Sequence, residues 1–119
     1  MQRLTLIALL LIGVLGFGSH NAAYAQEPTR TIEIHARQFA FVPAEITLKK
    51  GETVKLVLIS DDVPHSLLIP DLGVNAPMIK DKPAEVLVTP TKTGDFLGVC
   101  GKFCGRGHGS MLFKVHVTE

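Results

Sequence analysis

Cys100-Gly101-Lys102-Phe103-Cys104-Gly105-Arg106-Gly107-His108-Gly109-Ser110-Met111 is the stretch on which the reading of this chain turns. Four of its twelve residues are Gly, so the segment can fold tightly and draw its side chains together. The side chains that matter follow the spacing Cys-x3-Cys-x3-His-x2-Met. Two thiolates, an imidazole and a thioether form a soft donor set that suits copper, above all Cu(I), and excludes Mg and Ca. Zinc takes Cys and His readily but has little use for Met. Thiols bind metals as thiolates, and the neighbouring cations Lys102 and Arg106 are expected to favour that form.

The stretch lies between two segments that read as strands. Asp95 to Val99 precedes it, and in Met111 to Thr118 the residues Phe113, Val115 and Val117 alternate with Leu112, Lys114 and His116. Further upstream, Ile32, Ile34 and Ala36 alternate with Thr31, Glu33 and His35. Phe39 to Pro43 reads as a bend with two large apolar anchors, Glu45 to Leu48 as a strand, and Lys49 to Glu52 as a turn. Thr53 to Ile59 is rich in β-branched and aliphatic residues, and Asp61-Asp62-Val63-Pro64 breaks it. Ser66 to Ile69 is apolar, Pro70 to Pro83 reads as a long connection, Glu85 to Thr89 as another strand, and Thr91 to Gly94 as a turn. Short strands with frequent turn signals and no helical period of useful length predict an all-β sandwich.

The first 25 residues read differently. Arg3 is the only charge before Glu27, Leu4 to Phe17 is almost wholly apolar, and Ala23-Tyr24-Ala25 ends the stretch. Together these predict a secretory signal, 1–25, with 26–119 as the folded domain; the apolar stretch is short for a spanning anchor. Export implies a periplasmic or otherwise extracytoplasmic location. Of the 119 residues, 12 are Lys or Arg and 11 are Asp or Glu, for a formal net charge of +1. Losing Arg3 would bring that to zero. Such a balance argues against nucleic acid as a partner, and it predicts no overall steering toward a basic or an acidic protein. The chain is 46% hydrophobic and 19% charged, which argues against disorder.

A soft site needs one more ligand for closure. His65 is the best candidate, because it follows the strand-breaking Asp61-Asp62-Val63-Pro64, where a side chain can reach a neighbouring loop. His35 and His116 fall on polar strand faces and are expected to be solvated. Met78 is expected to pack, and Asp61 and Asp62 to serve the turn.

Asp62-Val63-Pro64-His65-Ser66 followed by Cys100-x3-Cys104-x3-His108-x2-Met111 resembles the dinuclear CuA domain of subunit II of haem-copper oxidases and of nitrous oxide reductases. The resemblance extends over about Ile32 to Val117. It implies a cupredoxin fold, a Greek-key β-sandwich, in agreement with the strand reading. It also implies two copper ions in a mixed-valence centre bridged by Cys100 and Cys104. His65 and Met111 would complete one ion, and His108 with the backbone carbonyl of Lys102 the other. The implied function is one-electron transfer without catalysis by this chain, with a c-type cytochrome or a terminal oxidase as redox partner.

The chain departs from that family in two ways. Oxidase subunits usually carry Glu where Lys102 stands, and aromatic residues commonly admit electrons there, whereas Gln26–Glu119 has neither Trp nor Tyr. A free-standing exported protein with no membrane span after signal cleavage is therefore expected rather than an oxidase subunit. Other readings stay open. The alternatives are a copper carrier or a dissociable oxidase component, and, for Cys100 and Cys104, a plain disulfide. A single-copper blue site would leave one Cys superfluous.

Overall fold

The computed structural model describes residues 27–119, so the expected leader lies outside the described residues. Period-2 alternation builds β1 (Arg30–Arg37), β2 (Ala40–Val42), β3 (Glu45–Lys49) and β4 (Val54–Ser60). The chain continues through β5 (His65–Ile69), β6 (Val74–Met78), β7 (Ala84–Val88), β8 (Gly94–Cys100) and β9 (Leu112–Thr118). Among the described residues, two short 3-10 turns interrupt them, Pro70–Leu72 and His108–Ser110.

The strands form two sheets, β2-β1-β4-β7 and β3-β9-β8-β5-β6. Each is mixed: β1 runs parallel to β4 and β3 parallel to β9, and the remaining pairs are antiparallel. The inward faces meet as one core. Ile34, Leu48, Leu58, Leu67, Ile69, Phe113 and Val115 are fully buried. Across the two sheets Phe41 meets Phe113 edge to face, with centroids 5.9 Å apart and planes at 71°. The molecule is a cupredoxin β-sandwich.

Two segments differ from the sequence expectation. The bend at Phe39 to Pro43 contains a short strand, β2, paired with the end of β1. The expected long connection Pro70–Pro83 contains β6, in which Val74, Ala76 and Met78 turn inward. Pro77 masked it, since Pro cannot donate to a ladder; β6 is an edge strand, where one side of the backbone needs no partner.

The topology assembles one end of the sandwich for chemistry. His65 opens β5 opposite Met78, which closes β6. Cys100 closes β8 opposite Leu67, and Gly101 N–H reaches Ser66 O at 3.4 Å. Met111 leads directly into β9. The Cys100–Met111 loop thus crosses the sandwich end beside the Ser60–His65 turn.

Candidate metal centre

Every side chain singled out from the spacing arrives at this end. The ligand atoms of His65, Cys100 and Cys104 all lie within 4.8 Å of one another, and all three residues are buried. The two Sγ atoms are 3.6 Å apart, and both thiols are free. His65 Nδ1 lies 3.8 Å from Cys100 Sγ, while His108 Nδ1 lies 3.6 Å from Cys104 Sγ. Met111 Sδ sits 3.4 Å from Cys104 Sγ, and the Lys102 carbonyl oxygen accepts from Cys100 Sγ at 3.0 Å. The thiol pair therefore forms the centre, with an imidazole beside each sulfur and a thioether and a carbonyl at its margins.

Local structure explains why the loop can close. Residues Gly105 and Gly107 let the backbone pass against the Phe39 ring. A Cβ at Gly105 would lie 2.9 Å from that ring, and Gly105 has φ +135°. On the same side as Phe39, Gln38 Nε2 donates to Cys104 O at 2.7 Å. The 3-10 turn at His108–Ser110 then swings Met111 back inward, where it is fully buried.

Asp62 is the residue whose role the sequence left hidden. It is more than a turn former, for its Oδ1 accepts from His65 Nε2 at 2.8 Å. It also takes the backbone N–H of Val63 on Oδ1 at 2.6 Å and that of Gln38 on Oδ2 at 2.8 Å. Partial burial opposes its ionisation, but these donors outweigh it and hold the carboxyl below its ordinary value. With Nε2–H given to Asp62, Nδ1 of His65 faces Cys100 as a bare nitrogen, the form a metal requires. The signal available was Asp three residues before a candidate ligand His.

Cys104 does not follow the sequence expectation. Lys102 and Arg106 are exposed on the outer side of the loop. Burial, reinforced by the Cys100 thiol alongside, pushes Cys104 up to about 11. A buried thiol that resists ionisation alone, as Cys104 does, is suited to giving up its proton as a cation arrives. The donors are soft and none is a carboxylate, so the cluster fits copper and not a hard divalent ion.

His35 and His116 stay out of this cluster. Each is partly exposed and held between two carboxylates. His35 lies 2.6 Å from Asp61 and 2.5 Å from Glu33; His116 lies 2.5 Å from Asp95 and 3.2 Å from Glu45. Both are therefore ion-paired rather than simply solvated, and both are raised above the ordinary imidazole value, His35 chiefly by Asp61 and His116 chiefly by Asp95. Met78 packs, as expected, and is fully buried. No helix among the described residues is long and apolar enough to cross a membrane.

Known proteins share this fold. The chain is 43% identical over 72 residues to "Probable cytochrome c oxidase subunit 2" of Streptomyces coelicolor, covering 60% of this chain and 23% of the relative. It is 25% identical over 89 residues to cytochrome c oxidase subunit 2 of Thermus thermophilus, covering 75% of this chain and 66% of that one. The chain thus spans about a quarter of the length of the Streptomyces relative. Among solved structures, the periplasmic domain of subunit II of cytochrome oxidase (CoxB) of Bradyrhizobium japonicum superposes with a TM-score of 0.73 at 20% identity, over 81% of this chain and 88% of that one. The family model for the cupredoxin-like domain matches residues 6–112, and the chain belongs to that family.

Proposed function

We propose that this chain is an exported electron-transfer protein whose His65 and Cys100–Met111 loop hold a dinuclear copper centre. The observation that carries the reading is the pair of free thiols 3.6 Å apart with His65 beside one and His108 beside the other. Cys100 and Cys104 would be shared by both ions. His65 and Met111 would complete one, and His108 with the carbonyl of Lys102 the other. Bound there, two coppers sharing one unpaired electron accept and release a single electron with little change in charge at either ion. The residues supply a prearranged cage: His65, Cys100, Cys104 and Met111 are buried, and with His108 and the Lys102 carbonyl they would hold both ions without an open position. A closed donor set of this kind suits electron passage rather than bond chemistry.

The likeness to oxidase subunit 2 supports a respiratory role, with a c-type cytochrome or a terminal oxidase as partner. Lys102 supports a free-standing protein over a docked subunit, because its exposed ammonium cannot hold a metal at a subunit interface. Residues 1–25 would direct export to the periplasm or an equivalent compartment and be removed after Ala25, so the exported chain should begin at Gln26.

Copper stoichiometry with electron paramagnetic resonance on the exported protein, reduced and then loaded, tests the reading. Two coppers per chain sharing one unpaired electron is the expected result. One copper per chain, or Cu(I) lost readily to a competing ligand, would replace it with a copper-carrier function for the same residues.

A further inference from the structure

Charge is unevenly placed among the described residues, and the excess gathers where the metal loop lies. Lys102 and Arg106 project from the loop, and neither has an ion-pair partner among the described residues. The β6–β7 connection leaves the same end of the sheet, because Met78 closes β6 opposite His65 and Ile79 O accepts from Ser60 N–H at 3.5 Å. That connection carries Lys80 and Lys82, both exposed and likewise unpaired.

The acidic groups at this end are mostly occupied. Asp61 holds His35 and approaches Arg37 at 3.8 Å, while Asp62 holds His65 and two backbone N–H groups. Asp81, between the two lysines, is the one acid left to offset four free cations. A chain balanced overall therefore presents a basic end, so net charge alone concealed the steering.

Phe103 stands on the same loop, directly after Lys102. Its ring is 76% exposed, the most of any large apolar side chain among the described residues. It tilts over His108, with centroids 5.7 Å apart and planes at 45°. An exposed aromatic ring over a half-buried candidate ligand, with unpaired cations on the same loop and on the connection that leaves the same end, has the make-up of a contact face: an apolar anchor for affinity and charges for encounter.

We infer that this end is the docking face for an electron-carrier protein whose own contact surface is acidic around an apolar centre. The inference rests on the electron-transfer reading above and adds the sign of the partner's charge. Phe103 would enter the apolar centre, and Lys80, Lys82, Lys102 and Arg106 would meet carboxylates on its rim.

Calorimetric titration of the copper-loaded protein with an acidic and with a basic c-type cytochrome tests this, at about 10 mM and about 0.5 M salt. The acidic cytochrome should bind at low salt and weaken tenfold or more at high salt. The basic one should bind more weakly at low salt and gain as salt rises. Arg106→Glu and the Lys80→Glu/Lys82→Glu pair should each weaken the acidic partner and flatten its salt dependence. Phe103→Ala should weaken it at both salt concentrations, because apolar contact is not screened. Backbone NMR shifts on binding should map to Lys80–Lys82 and Lys102–Arg106. Tighter binding of the basic cytochrome, or charge reversals without effect, would overturn the docking face. The copper spectrum of the same samples separates the two readings: a normal dinuclear signal without charge-dependent binding removes only the docking face, whereas a missing dinuclear signal removes the electron-transfer reading itself.

Discussion

Asp62 Oδ1 lies 2.8 Å from Nε2 of His65, and that one contact sets which face of the imidazole is offered to the thiol cluster. The carboxylate is itself fixed by the backbone N–H groups of Gln38 and Val63. Asp62 thus ties the Ser60–His65 turn and the end of β1 to the orientation of a buried candidate ligand. A side chain so restrained loses little freedom when it takes up a metal.

Replacing Asp62 by Ala should therefore cost both binding and stability. The freed imidazole should lower copper affinity about 10- to 100-fold, measured by competition with a chelator. Leaving two backbone donors without their acceptor should lower unfolding stability by about 1–3 kcal/mol. Asp62→Asn, which keeps one acceptor oxygen, should fall between. Wild-type copper affinity in Asp62→Ala would show that His65 is held by packing alone.

The sulfur donors separate by role. Cys100→Ser or Cys104→Ser should remove the shared-electron signal and leave at most one copper per chain. Met111→Leu preserves buried volume but removes the thioether 3.4 Å from Cys104. It should keep both coppers and shift the reduction potential, since a weak axial donor tunes rather than holds. Loss of all copper in Met111→Leu would mark Met111 as a principal ligand; an unchanged spectrum in either Cys variant would contradict the dinuclear assignment.

Much of this was legible in the chain, because alternation and donor spacing are local signals. Phe113, Val115 and Val117 declared the buried face of β9, and Cys-x3-Cys-x3-His-x2-Met brought its members together without knowledge of the sheets. What escaped depended on distant pairing. Strand β6 was hidden because Pro77 argues against a strand unless its edge position is known. Both thiols were expected to be acidified by Lys102 and Arg106, but those side chains are exposed, and at Cys104 burial prevails. His116 read as solvated because Asp95 and Glu45, which grip it, come from two other strands. The basic end required knowing that the β6–β7 connection and the metal loop leave the sandwich together.

Gly107 should tolerate no side chain while Phe39 stays in place. A Cβ there would overlap the Phe39 ring, and Phe39 is next in the chain to Gln38, whose amide holds Cys104 O at 2.7 Å. Gly107→Ala should cost about 1–3 kcal/mol in denaturant unfolding and slow or reduce copper uptake. The pair Gly107→Ala/Phe39→Ala should recover part of the uptake, giving a non-additive cycle between residues in contact. Additive losses would show that the loop needs Gly107 for its backbone alone.

The two clamped histidines give the fold a defined response to pH. His35 is raised by Asp61 and Glu33, and His116 by Asp95 and Glu45, each above an ordinary value of 6.5. A histidine held more basic in the folded chain binds its proton more tightly there than in the unfolded chain. Its contribution is then complete below pH 6.5 and fades as pH rises through the raised value. Both rings are partly exposed, so solvent and salt reduce the effect. NMR titration should place both imidazole midpoints above 6.5. Chemical denaturation should show stability declining as pH rises from that point, less steeply in the His35→Gln/His116→Gln pair. Midpoints at or below 6.5 would mean that water, not the carboxylates, governs these rings, and the decline in the pair should then match the wild type.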